Sequence, residues 1–201
     1  QTDNVAVLLR MADVAYMMEN YTAMSEVCDK ALHLDTSNLQ TYLYYAKACR
    51  GLGEPIRAVA VLSLAIKLRE DYYAARLLRG TILLENHLLD DAAQDADYLF
   101  THLEPNEDVL LLKARVLKAQ EKMKEAEQVY GMVIEVNPFS LDAFRERSEV
   151  RTILGDAAGA AEDEASIKEM GAEVPEPSEG IEQKIKEKMQ QMDPYKVFHN
   201  E

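Results

Sequence analysis

The chain has 201 residues, 48% hydrophobic and 29% charged, enough apolar material for one or two folded domains and too much for compositional disorder. A formal charge of -14 excludes a nucleic-acid backbone or an anionic membrane surface as the main partner. No run approaches the ~20 apolar residues of a membrane span, so no membrane insertion is expected. The start QTDNVAVLL lacks the basic lead and long apolar run of a signal peptide. The expected location is cytoplasmic, although a start at Gln1 is also compatible with a signal already removed.

Laid against itself so that Val5 meets Leu39, the chain aligns as five repeats of equal length, 5–38, 39–72, 73–106, 107–140 and 141–174, without an insertion. Small residues share one column, Ala12, Ala46, Gly80, Ala114 and Ser148. A second reads Met24, Ala58, Ala92, Ala126 and Ala160, and a third Ala31, Ala65, Leu99, Val133 and Ile167. Two helices approach closely only where side chains are short, and a stacked array repeats that approach in every unit.

In chain order, repeat one carries Leu8, Met11, Ala12 and Ala15 at helical spacing and closes in the turn LDTSN (34–38). Its cluster Met11, Met17, Met18 and Met24 either fills irregular gaps or offers an adaptable contact surface. Ser37 with Gln40 forms a capping-box signature for the helix opening repeat two, GLGEP (51–55) supplies its middle turn, and Pro55 suits the first turn of the next helix. EPNED (104–108) ends repeat three, and Leu110, Ala114 and Leu117 restore the helical spacing in repeat four, which ends at VNPFS (136–140). LGDAAG (154–159) is the middle turn of repeat five. Each repeat is therefore two helices joined by tight turns. Beyond 174 the reading is a linker, rich in Pro and Gly through GAEVPEPSEG (171–180), a capping helix at 181–192 and a short tail. The stripe Ile181, Ile185, Met189 and Met192 would cover the apolar face of a last repeat.

The chain resembles the tetratricopeptide repeat (TPR) family in Ala46, Gly80 and Ala114, in Ala58, Ala92, Ala126 and Ala160, in Tyr130, and in the terminal turn Asn137-Pro138. It departs from the family in having no Trp, in missing most terminal prolines, and in placing Met24 in a small-residue column. The resemblance implies an all-α, right-handed α-solenoid of five helix pairs plus a C-terminal cap. It also implies a non-catalytic scaffold whose first helices line a concave groove.

Stepping one repeat at a time along the groove stripe gives Leu9, Leu43, Leu77 and Leu111, then Arg145; the next column is Arg10, Tyr44, Leu78, Leu112 and Glu146. Further round come Lys47 and Arg115, then Arg50 and Lys118. The candidate partner-binding set is Leu9, Arg10, Leu43, Tyr44, Lys47, Arg50, Leu77, Leu78, Leu111, Leu112, Arg115 and Lys118. An apolar ladder with basic edges suits a protein or peptide segment carrying apolar anchors and acids. Alternatively, the leucines only stack first helices on one another. The carboxylate clamp of some TPR co-chaperones is missing, because its positions hold Leu9, Asp13, Tyr44, Ala74 and Leu78.

No chemistry of another kind is expected. His33, His87, His102 and His199 are scattered, Cys28 and Cys49 lack metal-ligand spacing and read as buried thiols or one disulfide, and no phosphate loop or nucleophile elbow occurs. No catalytic residue, metal or cofactor is predicted. Residues 80–112 hold eight acids and no Lys or Arg, and 155–179 hold eight acids against Lys168 alone; these read as a solvated outer face that aids solubility. Two alternatives to a peptide-binding scaffold remain. One is a self-assembly element. The other is the TPR portion of a co-chaperone, because DPYKVFHNE (193–201) resembles the start of a J domain.

Overall fold

The structure is a computed structural model that describes residues 4–171. Linker residues 172–180, the expected cap at 181–192 and the DPYKVFHNE tail lie outside the described residues. Within them the secondary structure is ten α-helices and no strand: α1 (Val5–Met17), α2 (Tyr21–Leu34), α3 (Leu39–Gly51), α4 (Pro55–Leu68), α5 (Tyr73–Glu85), α6 (Leu89–His102), α7 (Glu107–Ala119), α8 (Met123–Val136), α9 (Leu141–Leu154) and α10 (Ala157–Glu169). The chain divides into two compact units between Glu104 and Pro105. The N-terminal unit holds α1–α6 and the C-terminal unit α7–α10.

Odd-numbered helices begin at Val5, Leu39, Tyr73, Glu107 and Leu141, the first residue of each repeat, and even-numbered ones keep the same interval, because the same boundary chemistry recurs. Side chains of Asn4, Asn38, Asn106 and Ser140 accept from backbone N–H groups of the first turn of α1, α3, α7 and α9 at 2.9, 3.2, 3.2 and 3.4 Å. The fifth member of that column, Tyr72 before α5, makes no such bond. Between the helices of each pair the turn needs one left-handed residue: Glu19, Gly53, His87, Glu121 and Gly155 all have φ between 54° and 83°. Pro55 occupies the first position of α4, where no N–H is needed.

The capping box at Ser37 is corrected. Asn38, not Ser37, caps α3, and the Ser37 N–H and hydroxyl instead donate to Asp35 Oδ1 at 2.8 and 2.6 Å. Asp35 lies two residues back, so its short side chain closes a local turn first.

All three recurring columns are buried. Ala12, Ala46, Ala58, Ala92, Ala114 and Ala126 have no exposed surface, and Met24 is also fully enclosed. Met11, Met17 and Met18, by contrast, are exposed. Cys28 and Cys49 are free, buried thiols; burial first, and Cys49 nearby second, push the Cys28 thiol up to about 12.

The acidic runs are not uniformly solvated, and this too is a correction. Asp95 and Asp163 are each 1% exposed. Arg79 of α5 donates to both oxygens of Asp95 (2.7 and 2.6 Å), and Arg147 of α9 donates to both oxygens of Asp163 (3.0 and 2.6 Å). A second guanidinium supports each carboxylate, Arg76 at 3.5 Å and Arg151 at 3.2 Å. The two pairs occupy equivalent positions in repeats three and five. Other repeats place Met11 with Val27, Tyr45 with Val61 and Lys113 with Val129 at these positions. A buried carboxylate is tolerated where a bidentate partner matches its geometry.

Candidate functional site

In the N-terminal unit, α1 and α3 lie side by side, and their expected groove stripe forms an open pocket of about 340 Å³. Val5, Ala6, Leu9, Arg10 and Asp13 of α1 line one wall; Asn38, Gln40 and Tyr44 close the other. Leu9 is buried, Tyr44 half-buried and Arg10 exposed. The Tyr44 hydroxyl donates to Asp13 Oδ1 at 3.3 Å, tying the two helices across the pocket. Burial first, then the Asp13 charge, raises the Tyr44 phenol above its ordinary value. One turn along α3, the Lys47 ammonium lies 5.3 Å from the Tyr16 ring centre and 5.7 Å from that of Tyr44, within cation–π range of both.

The structure therefore brings Leu9, Arg10 and Tyr44 into one pocket, with Lys47 beside it. Leu43, Leu77 and Leu78 are half-buried. Leu43 and Leu78 pack on the hydrophobic core of the same unit. Arg50, at the end of α3, is committed to Glu85 of α5, with its Nε donating at 2.9 Å.

The remaining four candidates belong to the C-terminal unit, where the same columns look different. Leu111 and Leu112 are 7% and 4% exposed, and Leu111 is a core residue. Arg115 donates to Glu146 through Nε and Nη2 at 2.9 and 2.7 Å and to Asp142 at 2.9 Å. Those bonds, Glu146 first, hold its guanidinium above its ordinary pKa against the opposing effect of burial. Tyr130, fully buried, donates its hydroxyl to the other oxygen of Glu146 at 2.6 Å. Lys118 is paired with Glu149.

Glu85, Asp142, Glu146 and Glu149 were not anticipated as partners, although a signal exists. Arg115 and Glu146, Lys118 and Glu149, and Asp13 and Tyr44 are all separated by 31 residues. That is one repeat less about one helical turn, the offset that brings adjacent first helices side by side.

Among the described residues no group of three or more His, Cys, Asp or Glu side chains is placed to hold a metal, and no helix is long and apolar enough to cross a membrane.

No family model and no curated protein matches the chain. Solved structures do. MamA from Desulfovibrio magneticus RS-1 (residues 41 to the end) superposes with a TM-score of 0.75 at 14% identity, over 83% of this chain and 94% of that one. A tetratricopeptide repeat protein from Parabacteroides merdae gives 0.73 at 19% identity, over 94% of this chain and 73% of that one. YrrB, described as a TPR protein with an unusual peptide-binding site, gives 0.66 at 16% identity, over 92% and 93%. The chain has the tetratricopeptide repeat fold, an all-α helical-repeat class.

Proposed function

We propose that the chain is a non-catalytic interaction module, and that its N-terminal unit holds a peptide segment against α1 and α3. One observation carries the reading. Of the five basic residues expected to edge the groove, Arg50, Arg115 and Lys118 are paired to carboxylates. Arg10 and Lys47 make no ion pair among the described residues, and both flank the pocket at Leu9 and Tyr44. A recess of mixed lining, with Val5, Ala6 and Leu9 as its apolar part and two cations without a carboxylate partner beside it, fits a segment with an apolar anchor and neighbouring acids. YrrB, with its own peptide-binding site, lends the fold-level analogy.

The test is an immobilised array of short synthetic peptides that vary independently in charge and apolar content. Retained peptides should pair Asp or Glu with Leu, Ile or Phe. Arg10→Glu with Lys47→Glu should slow their association by roughly an order of magnitude at low salt and less at high salt. Retention that ignores both substitutions would remove the N-terminal pocket from recognition.

A further inference from the structure

Tyr16 lies outside the stripe of candidate residues, yet it stands where the C-terminal unit places half of an ion pair. Tyr16 and Lys47 are 31 residues apart, as Lys118 and Glu149 are, and Lys118 and Glu149 are their counterparts three repeats further on. In the C-terminal unit this position sets a cation against a carboxylate, and both charges are satisfied. In the N-terminal unit it sets a cation against a ring face. The Lys47 ammonium lies 5.3 Å from the centre of Tyr16 and 5.7 Å from that of Tyr44. An aromatic face attracts an ammonium through its quadrupole but carries no net charge, so it fixes the cation without neutralising it.

Both rings are braced from behind. Tyr44 is held from α1 by its bond to Asp13 at 3.3 Å. Tyr16 is met edge-on by Tyr21, with ring centres 6.4 Å apart at 63°. Tyr21 opens α2 directly after the left-handed turn residue Glu19 and the cap Asn20. Its ring lies against Gly51 at the end of α3, where any Cβ would collide with it. No other repeat has an aromatic residue in the Tyr16 column, which continues as Arg50, Leu84, Lys118 and Thr152. Tyr16 stays 42% exposed, so its ring is not there to fill the core. A lysine side chain loses much rotamer freedom when it is ordered, and two braced rings order Lys47 before a ligand arrives.

We infer that Tyr16 is a positioning residue of the peptide site, holding the Lys47 ammonium, still charged, for a carboxylate of the bound segment. The inference rests on the peptide-binding reading above and deepens it: one acid of the segment is read at a fixed place, one helical turn along α3 from Tyr44.

Fluorescence anisotropy tests it, with a dye-labelled synthetic peptide of one Leu between Glu residues titrated with the full chain at low salt. Tyr16→Leu should weaken binding roughly two- to fivefold, the effect of losing one exposed cation–π contact. Tyr16→Phe keeps the ring face and should bind as the parent does. In a Lys47→Met background Tyr16→Leu should have no further effect. Circular dichroism checks that each variant folds. Without any peptide, ring currents should move the Lys47 methylene proton signals upfield in the parent, and signals at ordinary positions would overturn the proposal. Lys47→Met binding as tightly as the parent would remove the peptide site from Lys47 and the role of Tyr16 with it. Weakening by Lys47→Met alone, or a Tyr16→Leu loss that persists without Lys47, would leave the site standing and overturn the positioning role.

Discussion

Two stretches of first-helix surface, built on the same columns, differ in what remains available. In the C-terminal unit Arg115 and Lys118 are spent on Glu146, Asp142 and Glu149, and Tyr130 completes the set from below. In the N-terminal unit Tyr44 and Asp13 satisfy each other, leaving Arg10 and Lys47 beside an open recess. Position alone does not make a basic residue a binding residue. A cation whose bonds are filled by the next helix adds rigidity, and one without a carboxylate can still accept one from outside the chain.

The largest effects should come from the buried carboxylates common to both units. Asp163→Ala strips Arg147 of its bidentate partner, while Arg151 keeps Glu127, and should cost about 3–5 kcal/mol, as should Asp95→Ala beneath Arg79. Replacing the whole pair with the one used in repeat two, Arg79→Tyr with Asp95→Val, should recover most of that loss. Urea unfolding measures all three, and an unchanged midpoint in Asp163→Ala would show that the pairs carry no stability. Next is the contrast itself. Glu146→Gln should cost about 1–3 kcal/mol by removing the charge that Arg115 and Tyr130 share and leaving Arg115 with Asp142 as its carboxylate, whereas Arg10→Ala and Lys47→Ala should stay within about 0.5 kcal/mol. Equal losses at Glu146 and Arg10 would erase the distinction between the two surfaces.

Alkaline pH separates the units by chemistry. The Cys28 thiol in the N-terminal unit is raised from 9.0 to about 12. Its contribution is therefore full below pH 9.0 and lost as pH rises toward 12. Tyr130 in the C-terminal unit is raised by burial and by the Glu146 charge, so its contribution likewise fades above its ordinary value of 10.0. Melting temperatures should fall on raising the pH through this range, and Cys28→Ala should flatten the early part of the fall. A slope unaffected by the substitution would exclude the thiol. The smallest effect concerns the left-handed turn column. His87→Gly relieves a φ of 59° and should add up to about 1 kcal/mol, while Gly53→Ala should lose a similar amount. Shifts of the same sign in thermal melts would contradict that account.

The repeat period, the helix pairs and the burial of the small columns could be read directly from the sequence, because each rests on side-chain size or apolar spacing. Polar partnerships could not, because composition does not say which way an acid points. Asp95 and Asp163 counted toward acidic runs until their arginines, on the preceding helix, were seen to face them. Covariation within the repeats was the available clue, since Asp stands in that column only where Arg stands in the other. The turn column was obscured for another reason. Glycine marks only two of its five positions, and Glu19, His87 and Glu121 take the left-handed geometry without it. The candidate pocket was half anticipated: Leu9, Arg10 and Tyr44 were named, but their distinction from Arg115 and Lys118 depends on neighbours one helix away.

On α10, Glu164 and Lys168 stand where α4 carries the buried Leu62 and Ile66, which bears on how such a chain can change length. Copying a repeat into the junction between α4 and α5 would set new helices against Leu62 and Ile66, surfaces already suited to receive them. The same copy placed directly after α10 would seat its first helix on a carboxylate and an ammonium. Growth by duplication is therefore easier between α4 and α5 than directly behind α10, where Glu164 and Lys168 would first have to change.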